Sequence, residues 1–308
     1  MTRSGPTIVR TGCISFPDVD PHLLRTFVAV AETGSFSAAA ERLNFTQSAV
    51  SQQIAALEAD LGTPLLTRRP VAPTEAGQRL QRHAKILLVR LEAARADVTR
   101  TSAPPGRLAL GLTPLAWSAP VAAALTRIRA ESARLSTRLL VAGLDRIVTA
   151  TATGALDLGL VDGFTAPSDP LRLPEPGDPR SLRVTECPAV VAVPLGHPLA
   201  RRTSVDLADL ADAYWIDAPG VAPFQRLPVD GLRAGLHYDG AEATVLTGLV
   251  AAGHGLALLP EWLLTGRTDL AAVPLGSPRL VHRVELLRAP ATDDPAEPAS
   301  RLTALLTP

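Results

Sequence analysis

Three short segments with helical spacing of apolar residues follow one another between residues 20 and 62. In each segment the apolar side chains recur three or four positions apart, which is the pattern of a helix that buries one face. Each is bounded by residue types that begin or end helices, namely Asp20, Gly34, Ser35, Asn44, Thr46 and Gly62. The second and third predicted helices are joined by a tight turn and have small residues where they cross, as a helix-turn-helix requires.

The third predicted helix has two unlike faces. Its apolar face carries Ala49, Val50, Ile54, Leu57 and Leu61. Its other face carries amides and hydroxyls instead of charges, which suits the reading of base edges, because glutamine bonds adenine through two hydrogen bonds and serine bonds several bases. We therefore predict a DNA-reading helix, although for each single residue a merely solvated position stays open. The candidate DNA-binding residues of this helix and its cap are Thr46, Gln47, Ser48, Ser51 and Gln52.

Phosphate contacts are expected on either side of this helix. Ser35 and Ser37 lie at the start of the second predicted helix, where hydroxyls and free N–H groups suit phosphate. Simple N-capping is the alternative role for Ser35. Residues 63–70 hold too much proline for a helix and predict a two-stranded wing with Arg68 and Arg69 at its tip. Arginines on such a wing approach phosphate or the minor groove of DNA.

A long helix is predicted from Thr74, its cap, to about residue 101. Within it, apolar residues alternate in steps of four and three, which is the a/d pattern of a coiled coil. The pattern favours a dimerisation helix, and the alternative is a helix that packs on its own domain. The predicted seam consists of Leu80, Ala84, Leu87, Leu91, Ala94 and Val98.

The chain after a hinge at residues 103–106 alternates short apolar strands with helices of about ten residues, which indicates parallel βαβ units. Strands are predicted at 107–112, 137–141, 155–161, 183–184, 189–193, 214–216, 255–260 and 280–287. Helices are predicted at 119–130, 145–153, 204–210 and 241–252. A proline-rich loop after residue 166 separates two subdomains, the first at about 107–163 and 266–290, the second at about 164–265.

Open α/β sheets bind ligands in a crevice at the carboxyl ends of their strands. The residues that follow the predicted strands are therefore candidates for a small-molecule site. A hydroxyl from Thr113 and N–H groups at the following helix starts would suit an anionic ligand, whose identity the pattern leaves open. The candidate effector-binding residues are Thr113, Pro114, Gly143, Asp145, Leu195, Gly196 and Asp217.

Composition limits the remaining function classes. The 308 residues have a formal net charge of zero, which argues against nucleic-acid binding over the whole surface. Residues 62–100 nevertheless hold eight basic against three acidic residues, a surplus of five beside the predicted DNA-reading helix. Two distant cysteines, Cys13 and Cys187, predict neither a disulfide framework nor a zinc site, and the histidines lack ligand spacing. We expect no metal, no cofactor, no catalytic motif and no membrane span, and hence a cytoplasmic protein.

Several stretches resemble the LysR-type transcriptional regulators. In the first part these are residues 24–40, 46–54, 57–58, 61–68 and 74–77, and in the second part residues 154–160, 197–200 and 250–260. Leu66 stands where the family usually has phenylalanine, and Ser48 where many members have proline. The resemblance implies a homodimer or homotetramer that binds an interrupted dyad in double-stranded DNA. It also implies a small-molecule effector bound between two α/β subdomains.

These inferences combine into one architecture. The chain is expected to be α/β overall, with a disordered tail at residues 1–19 and an all-α winged helix-turn-helix domain at 20–78. A linker helix at 79–102 and a periplasmic-binding-protein-like effector domain at 103–308 follow. The predicted function is sequence-specific transcriptional regulation without enzyme activity. The alternative is a small-molecule binding protein or minor enzyme on the α/β half, with an accessory DNA-binding head.

Overall fold

A computed structural model describes residues 20–100, 106–132, 134–174, 181–223, 231–289 and 297–307. The chain divides into two compact units, one ending at Leu88 and one beginning at Val89, and each has its own apolar core. The division between the two compact units lies inside the long helix, and the domain limits at residues 78 and 102 stay a prediction. The predicted tail at 1–19, and residues 103–105 of the predicted hinge, lie outside the described residues.

The first unit contains three helices, a β-hairpin and the start of a fourth helix. Each helix begins at a residue whose side chain bonds an N–H group that has no partner within the helix. Ser35 accepts from the Ala38 N–H, and Thr46 accepts from the Ala49 N–H. Asn44 ends the second helix with a left-handed φ of 58°. All six predicted helix limits are therefore confirmed. The elements are α1 Pro21–Thr33, α2 Phe36–Leu43, α3 Gln47–Leu61, β1 Leu66–Arg68, β2 Val71–Pro73 and α4 Glu75–Arg100.

The core of this unit lies where α1, α2 and α3 meet. Val50, Ile54 and Leu57 of α3 are fully buried, as predicted from their spacing, whereas Ala49 and Leu61 are only half-buried. The predicted wing exists, but its limits were wrong. Its strands pair Leu66 with Pro73 at one end and Arg68 with Val71 at the other, so the hairpin covers 66–73 and not 63–70.

The predicted seam of α4 divides into two parts. Leu80 is half-buried and Ala84 fully buried against the core of the first unit. The later positions are more open, since Leu87 is 55% and Val98 73% exposed, Ala94 is exposed and Leu91 is half-buried. Ala84 therefore packs inside its own chain, which was the alternative for this helix. The exposed apolar strip that begins at Leu87 keeps dimerisation as a prediction.

The second unit is built on a seven-stranded sheet and a separate parallel pair of strands. The large sheet runs in the order β10-β6-β11-β5-β3-β4, with β9 also paired to β6, and the small one joins β7 to β8. The strands are β3 Arg107–Leu112, β4 Ser136–Val141, β5 Leu158–Thr165, β6 Ser181–Pro194, β7 Tyr214–Asp217, β8 Arg233–His237, β9 Ala257–Pro260, β10 Leu270–Pro274 and β11 Val281–Arg288. The α-helices are α5 Ala119–Glu131, α6 Leu144–Ala152, α7 Ala243–Ala251, α8 Glu261–Leu264 and α9 Pro298–Leu306.

One long strand, β6, belongs to both subdomains. Its first half pairs with β11 as far as Pro188, and its second half, from Ala189, pairs with β9 and β10. Two predicted strands at 183–184 and 189–193 are therefore one. Because β10 pairs with the second half of β6, residues 270–274 belong to the second subdomain, so the predicted start of the returning segment at 266 was wrong.

Other elements have bounds that differ from the predicted ones, or were not predicted. The strand expected at 155–161 lies at 158–165, and the helix expected at 204–210 is a single 3₁₀ turn at Leu207–Leu210. The elements β8, β10, α8 and α9 were not predicted. Helix α9 extends the first subdomain beyond residue 290, since Leu302 and Leu306 are buried against β3 and α5.

Candidate functional site

The outer face of α3 presents free hydrogen-bonding groups. Gln47, Ser48 and Gln52 are exposed and Ser51 is half-buried. No side-chain hydrogen bond holds Gln47 or Gln52 within the described part of the chain. The Thr46 hydroxyl, by contrast, accepts from the Ala49 N–H at 3.2 Å and lies 3.0 Å from the Ser48 hydroxyl. The two glutamines can therefore turn toward a partner, while Thr46 serves first as the helix cap.

The neighbouring Gln53, unlike Gln47 and Gln52, has a side chain that bonds within the protein. Its side-chain oxygen accepts a hydrogen bond of 2.6 Å from the Thr26 hydroxyl, and Thr26 is buried in α1. Gln53 is therefore committed to the packing of α3 on α1. The exposed polar face of α3 is thus a distinct set of side chains, and the sequence separated it correctly from the inner face.

Two serines lie at the start of α2. Ser35 is half-buried, and its hydroxyl accepts from the Ala38 N–H at 3.3 Å, so the capping role predicted as the alternative is confirmed. Ser37 is exposed in the first turn. A hydroxyl at this position suits an anion, because the first N–H groups of a helix point in the same direction.

The two wing arginines lie in different surroundings. The Arg68 guanidinium lies 5.3 Å from the centre of the Phe36 ring and 3.7 Å from a carboxylate oxygen of Glu58. The same Glu58 accepts from the N–H groups of Leu65 and Leu66 at 2.8 and 3.2 Å, which fixes the start of the wing. Arg69, at the turn, is exposed and has no ion-pair partner among the described residues. Arg68 is therefore held in place, and Arg69 is free to meet an anion.

A partly exposed carboxylate joins three helices of the same unit. Glu32 of α1 lies 2.8 Å from Arg42 of α2 and 2.9 Å from Lys85 of α4. Partial burial raises the pKa of Glu32, but the bonds from Lys85 and Arg42 outweigh burial and hold it below its ordinary value. These two ion pairs link α4, at Lys85, to α1 and α2.

The second unit has a cavity of about 450 Å³ at the carboxyl ends of β3 and β5. It is bordered by the turn after β3, the first residue of α6, the segment that follows β5 and the loop that follows β7. Its lining residues include Thr113, Pro114, Leu144, Asp162, Phe164, Thr165, Leu171, Arg172, Leu173, Pro219, Val221 and Ala222. Apolar side chains form more of this surface than polar ones, and the polar lining residues are Thr113, Asp162, Thr165, Asp169 and Arg172.

The cavity takes in only part of the predicted effector set. Thr113 and Pro114 line it, and Leu144 lines it in place of the flanking Gly143 and Asp145. The other three candidates are not in this lining: Leu195 and Gly196 are exposed elsewhere, and Asp217 is buried with a carboxylate oxygen 3.3 Å from His237. Five of the seven candidates therefore lie outside the lining of this cavity, and their role in effector binding stays a prediction. The loop that reaches the cavity begins two residues after Asp217, at Pro219.

A buried polar network lies at the inner end of the cavity, and sequence reasoning missed most of it. The Thr113 hydroxyl donates to the Asp162 carboxylate and accepts from the Asp162 N–H at 2.9 Å. The other carboxylate oxygen of Asp162 lies 3.0 Å from Nε2 of His282. His282 is 1% exposed, and its ring lies 5.4 Å from the Phe164 ring. The sequence offered little signal, since Asp162 directly follows the predicted strand at 155–161 and His282 is one of several polar residues in β11.

The ionisation of His282 follows from its neighbours. Burial by itself lowers the pKa of the imidazole, but the hydrogen bond with Asp162 and the nearby Cys187 side chain raise it to about 9. His282 lies opposite Cys187 in the β11–β6 pairing. At neutral pH the ring is therefore protonated and lies beside the Asp162 carboxyl group, at 3.0 Å.

The described residues were compared with the requirements of a metal site and of a membrane-spanning helix. They contain no group of three or more His, Cys, Asp or Glu side chains arranged to hold a metal ion. No helix in the described ranges is long and apolar enough to cross a membrane.

Two family models match the chain over most of its length. The model described as a bacterial regulatory helix-turn-helix protein of the lysR family matches residues 21–78. The model described as a LysR substrate binding domain matches residues 101–304. The two matches correspond to the part that carries α1–α3 with the wing and to the part that carries the cavity.

Curated relatives and a solved structure agree with this. A probable hydrogen peroxide-inducible genes activator of Mycobacterium avium is 31% identical, and the alignment covers 86% of each chain. The regulator BudR of Raoultella terrigena is 32% identical over 77% of this chain and 83% of its own. The small neutral protease regulatory protein of Streptomyces coelicolor is 32% identical over 87% and 85%. The crystal structure of full-length BenM is 25% identical, with a TM-score of 0.51 over 93% of this chain and 95% of that one. The chain thus belongs to the LysR family of transcriptional regulators, with an N-terminal helix-turn-helix domain that binds DNA and a two-part α/β domain that binds an effector.

Proposed function

We propose that this regulator recognises its operator through the exposed polar face of α3, with Gln47, Ser48, Ser51 and Gln52 against base edges. The carrying observation is that the side chains of Gln47 and Gln52 are exposed and make no hydrogen bond to any described residue. Amides in this state can bond the edge of adenine in the major groove without first breaking a bond to the protein. The face carries no charge, so it supplies discrimination between sequences more than affinity.

Affinity in this proposal comes from groups that contact the DNA backbone. Ser37 and the Ser35 cap at the start of α2 lie where N–H groups and hydroxyls suit phosphate, and Arg69 at the wing tip is an exposed cation. Arg68 is held over Phe36 and beside Glu58, so it approaches the DNA as a fixed group. Such contacts strengthen binding to every sequence alike.

Base readout and backbone contact can be separated by two substitutions. Selection of bound fragments from a random DNA pool would define the preferred site, and fluorescence anisotropy would measure binding to it and to scrambled DNA. Gln47→Ala should relax the preference at one base pair by about 1–3 kcal/mol. Arg69→Ala should weaken binding to both DNAs equally and reduce the salt slope by about one.

The controls come from the same residue types at other places. Gln78→Ala changes an exposed glutamine of α4, and Arg129→Ala changes an exposed arginine of α5. Both should bind like the wild type. Unchanged selectivity after Gln47→Ala would contradict the role given to α3, and failure of the wild type to select any DNA would favour the binding-protein alternative.

We propose in addition that the protein acts as a homodimer or homotetramer on an interrupted dyad, in the cytoplasm and without catalysis. The exposed apolar strip of α4, with Leu87, Leu91, Ala94 and Val98, supports the pairing, because an apolar helix face of this length is stabilised by a second copy. Two copies would place two α3 helices on two half-sites, which is how helix-turn-helix dimers read dyads.

The effector site of this proposal is the cavity beside Thr113. A volume of about 450 Å³ suits a small metabolite, and the lining suits one with a polar end and an apolar body. The polar end would meet Thr113, Asp162 and Thr165, and the apolar body would meet leucine, valine and proline side chains. Thermal-shift measurements on the full chain with a metabolite panel test this, and Leu144→Trp, which fills the cavity, should abolish any shift that the wild type shows.

A further inference from the structure

One wall of the cavity has no regular secondary structure of its own. Residues 166–174 follow β5 without forming a helix or strand, and six of them line the cavity: Ala166, Asp169, Leu171, Arg172, Leu173 and Pro174. Within the segment the bonds are few. The Asp169 N–H donates to the Ala166 carbonyl at 3.0 Å, and the Thr165 hydroxyl lies 3.3 Å from the Asp169 carbonyl. Its shape must therefore be set by what it contacts.

Two side chains of β11 hold this wall by its backbone. The Arg283 guanidinium donates to the carbonyls of Asp169 and Pro167, the second at 2.7 Å. The Glu285 carboxylate accepts from the Leu171 N–H at 3.0 Å. Because side chains two positions apart on a strand point to the same face, Arg283 and Glu285 act from one side of the sheet. The bonds fix three backbone groups within five consecutive residues.

Both groups are buried charges, which makes the arrangement costly to keep. Arg283 is 6% and Glu285 3% exposed. One Glu285 oxygen is buried and has no hydrogen-bond partner among the described residues, an arrangement that costs about 1–3 kcal/mol. An apolar residue in this place would avoid that cost but would leave the Leu171 N–H without its acceptor, so the two effects on stability oppose each other. The carboxylate is thus explained by its bond to the wall and not by the stability of the sheet.

We call Arg283 and Glu285, with their bonds to the wall, the clamp. The clamp also contacts β6, the strand that the two subdomains share. Arg283 pairs with Glu186 of β6 at 2.9 Å, with a second contact at 3.3 Å. Three residues farther along, at Ala189, β6 leaves β11 and pairs with β9. The backbone of the cavity wall is therefore tied through one guanidinium to the strand segment just before the crossing.

We propose that Arg283 and Glu285 are positioning residues of the effector site, which hold residues 167–171 as a shaped wall and thereby set which small molecules the cavity accepts. This inference rests on the effector role proposed above for the cavity. Neither residue lines the cavity itself, so their effect on a ligand passes through the wall. The wall would lose its shape without them, while the sheet below would persist through its own ladder of β5, β11 and β6.

Hydrogen exchange of the full chain, without any ligand, tests the clamp directly. Glu285→Leu should speed exchange of the Leu171 amide at least about tenfold, since a bond to a carboxylate is lost. Glu285→Gln retains an oxygen that can accept this N–H and should stay within about threefold of the wild type. Arg301→Leu, which removes bonds between α9 and α5, is the matched control and should leave exchange of this segment unchanged.

Ligand binding then separates a positioning role from a merely structural one. Thermal shift with a fixed panel of acetate, phenylacetate, succinate, arginine and glucose would identify a compound that binds the wild type, and calorimetry would measure its affinity. Glu285→Leu and Arg283→Met should weaken that compound about tenfold or change the order of preference across the panel. Glu285→Gln and Arg301→Leu should keep the wild-type affinity and the wild-type order of preference. The melting temperature of Glu285→Leu should be close to that of the wild type.

Each result decides one claim. Faster exchange together with unchanged affinity and unchanged preference would overturn the positioning role, and equal exchange in Glu285→Leu and the wild type would overturn the clamp. If no panel compound binds the wild type, the effector role of the cavity fails and the positioning role falls with it. In that case the exchange measurement still shows whether the two side chains hold the wall.

Discussion

The imidazolium of His282 should make the stability of the second unit depend on pH in a defined window. The pKa of His282 is about 9 in the folded protein against 6.5 as its ordinary value. Below about pH 6.5 the ring is protonated in both states, and its interactions contribute their full stabilisation. As pH rises from 6.5 through 9, the folded state must lose this proton, so the contribution disappears.

The magnitude follows from the same two values. They correspond to about 3 kcal/mol in the free energy of unfolding between pH 6.5 and pH 9.5. The ring is 1% exposed, so solvent screening does not reduce this figure much. For a domain of this size, about 3 kcal/mol corresponds to a fall in melting temperature of roughly 6–12 °C.

Tryptophan fluorescence suits the assay, because Trp117, Trp215 and Trp262 all lie in the second unit. Urea unfolding of the full chain would be followed at pH 6.5 and pH 9.5. Asp162→Asn removes the main group that raises the pKa, and burial then favours the neutral ring, so the difference between the two pH values should shrink to near zero.

Two further variants complete this test. Cys187→Ser removes the other group that acts on His282 and checks that the thiol does not cause the change. His237→Gln alters an exposed histidine and should preserve the wild-type difference. The reasoning would be refuted if Asp162→Asn and the wild type lost the same stability over this window.

Two other predictions follow from packing. Gly77→Ala should destabilise the first unit by about 3 kcal/mol or more, measured by circular dichroism, because a Cβ there would collide with the Leu65 carbonyl oxygen; a change under about 1 kcal/mol would contradict this. Leu87→Glu combined with Leu91→Glu should give monomers in light scattering, whereas Ile86→Glu, about 100° around the helix, should not. Intact dimers in the double variant would exclude this strip as the seam.

The helices of the first unit were predictable from sequence because the residues that begin and end them act locally. Asp20, Ser35 and Thr46 each cap a helix through a bond to an N–H two or three residues away, and Asn44 adopts the left-handed φ that ends one. These signals need no knowledge of the rest of the chain. The wing was less accurate, since its second strand depends on pairing and not on residue type.

The second unit depends on contacts between distant residues, and there prediction failed in specific ways. The strand β6 changes partners at Ala189, and its residues change there from partly exposed to buried. The apolar pattern of the sequence is therefore interrupted at this point, although the strand itself continues. Asp162 and His282 are 120 positions apart and meet only because β5 and β11 are neighbours. No spacing in the sequence carries that information.

The α4 helix shows why a correct periodicity can still combine two roles. Leu80, Ala84, Leu87 and Leu91 follow the a/d spacing, yet Ala84 is fully buried in its own core and Leu87 is 55% exposed. A heptad pattern states which residues share a face of one helix, and it does not state what covers each part of that face. On the proposed assignment, the first two turns of the seam fix α4 to the helix-turn-helix, and the later turns fix it to a second copy. Substitutions before and after residue 86 should therefore differ in kind, since the first group would unfold the DNA-binding unit and the second would separate folded protomers.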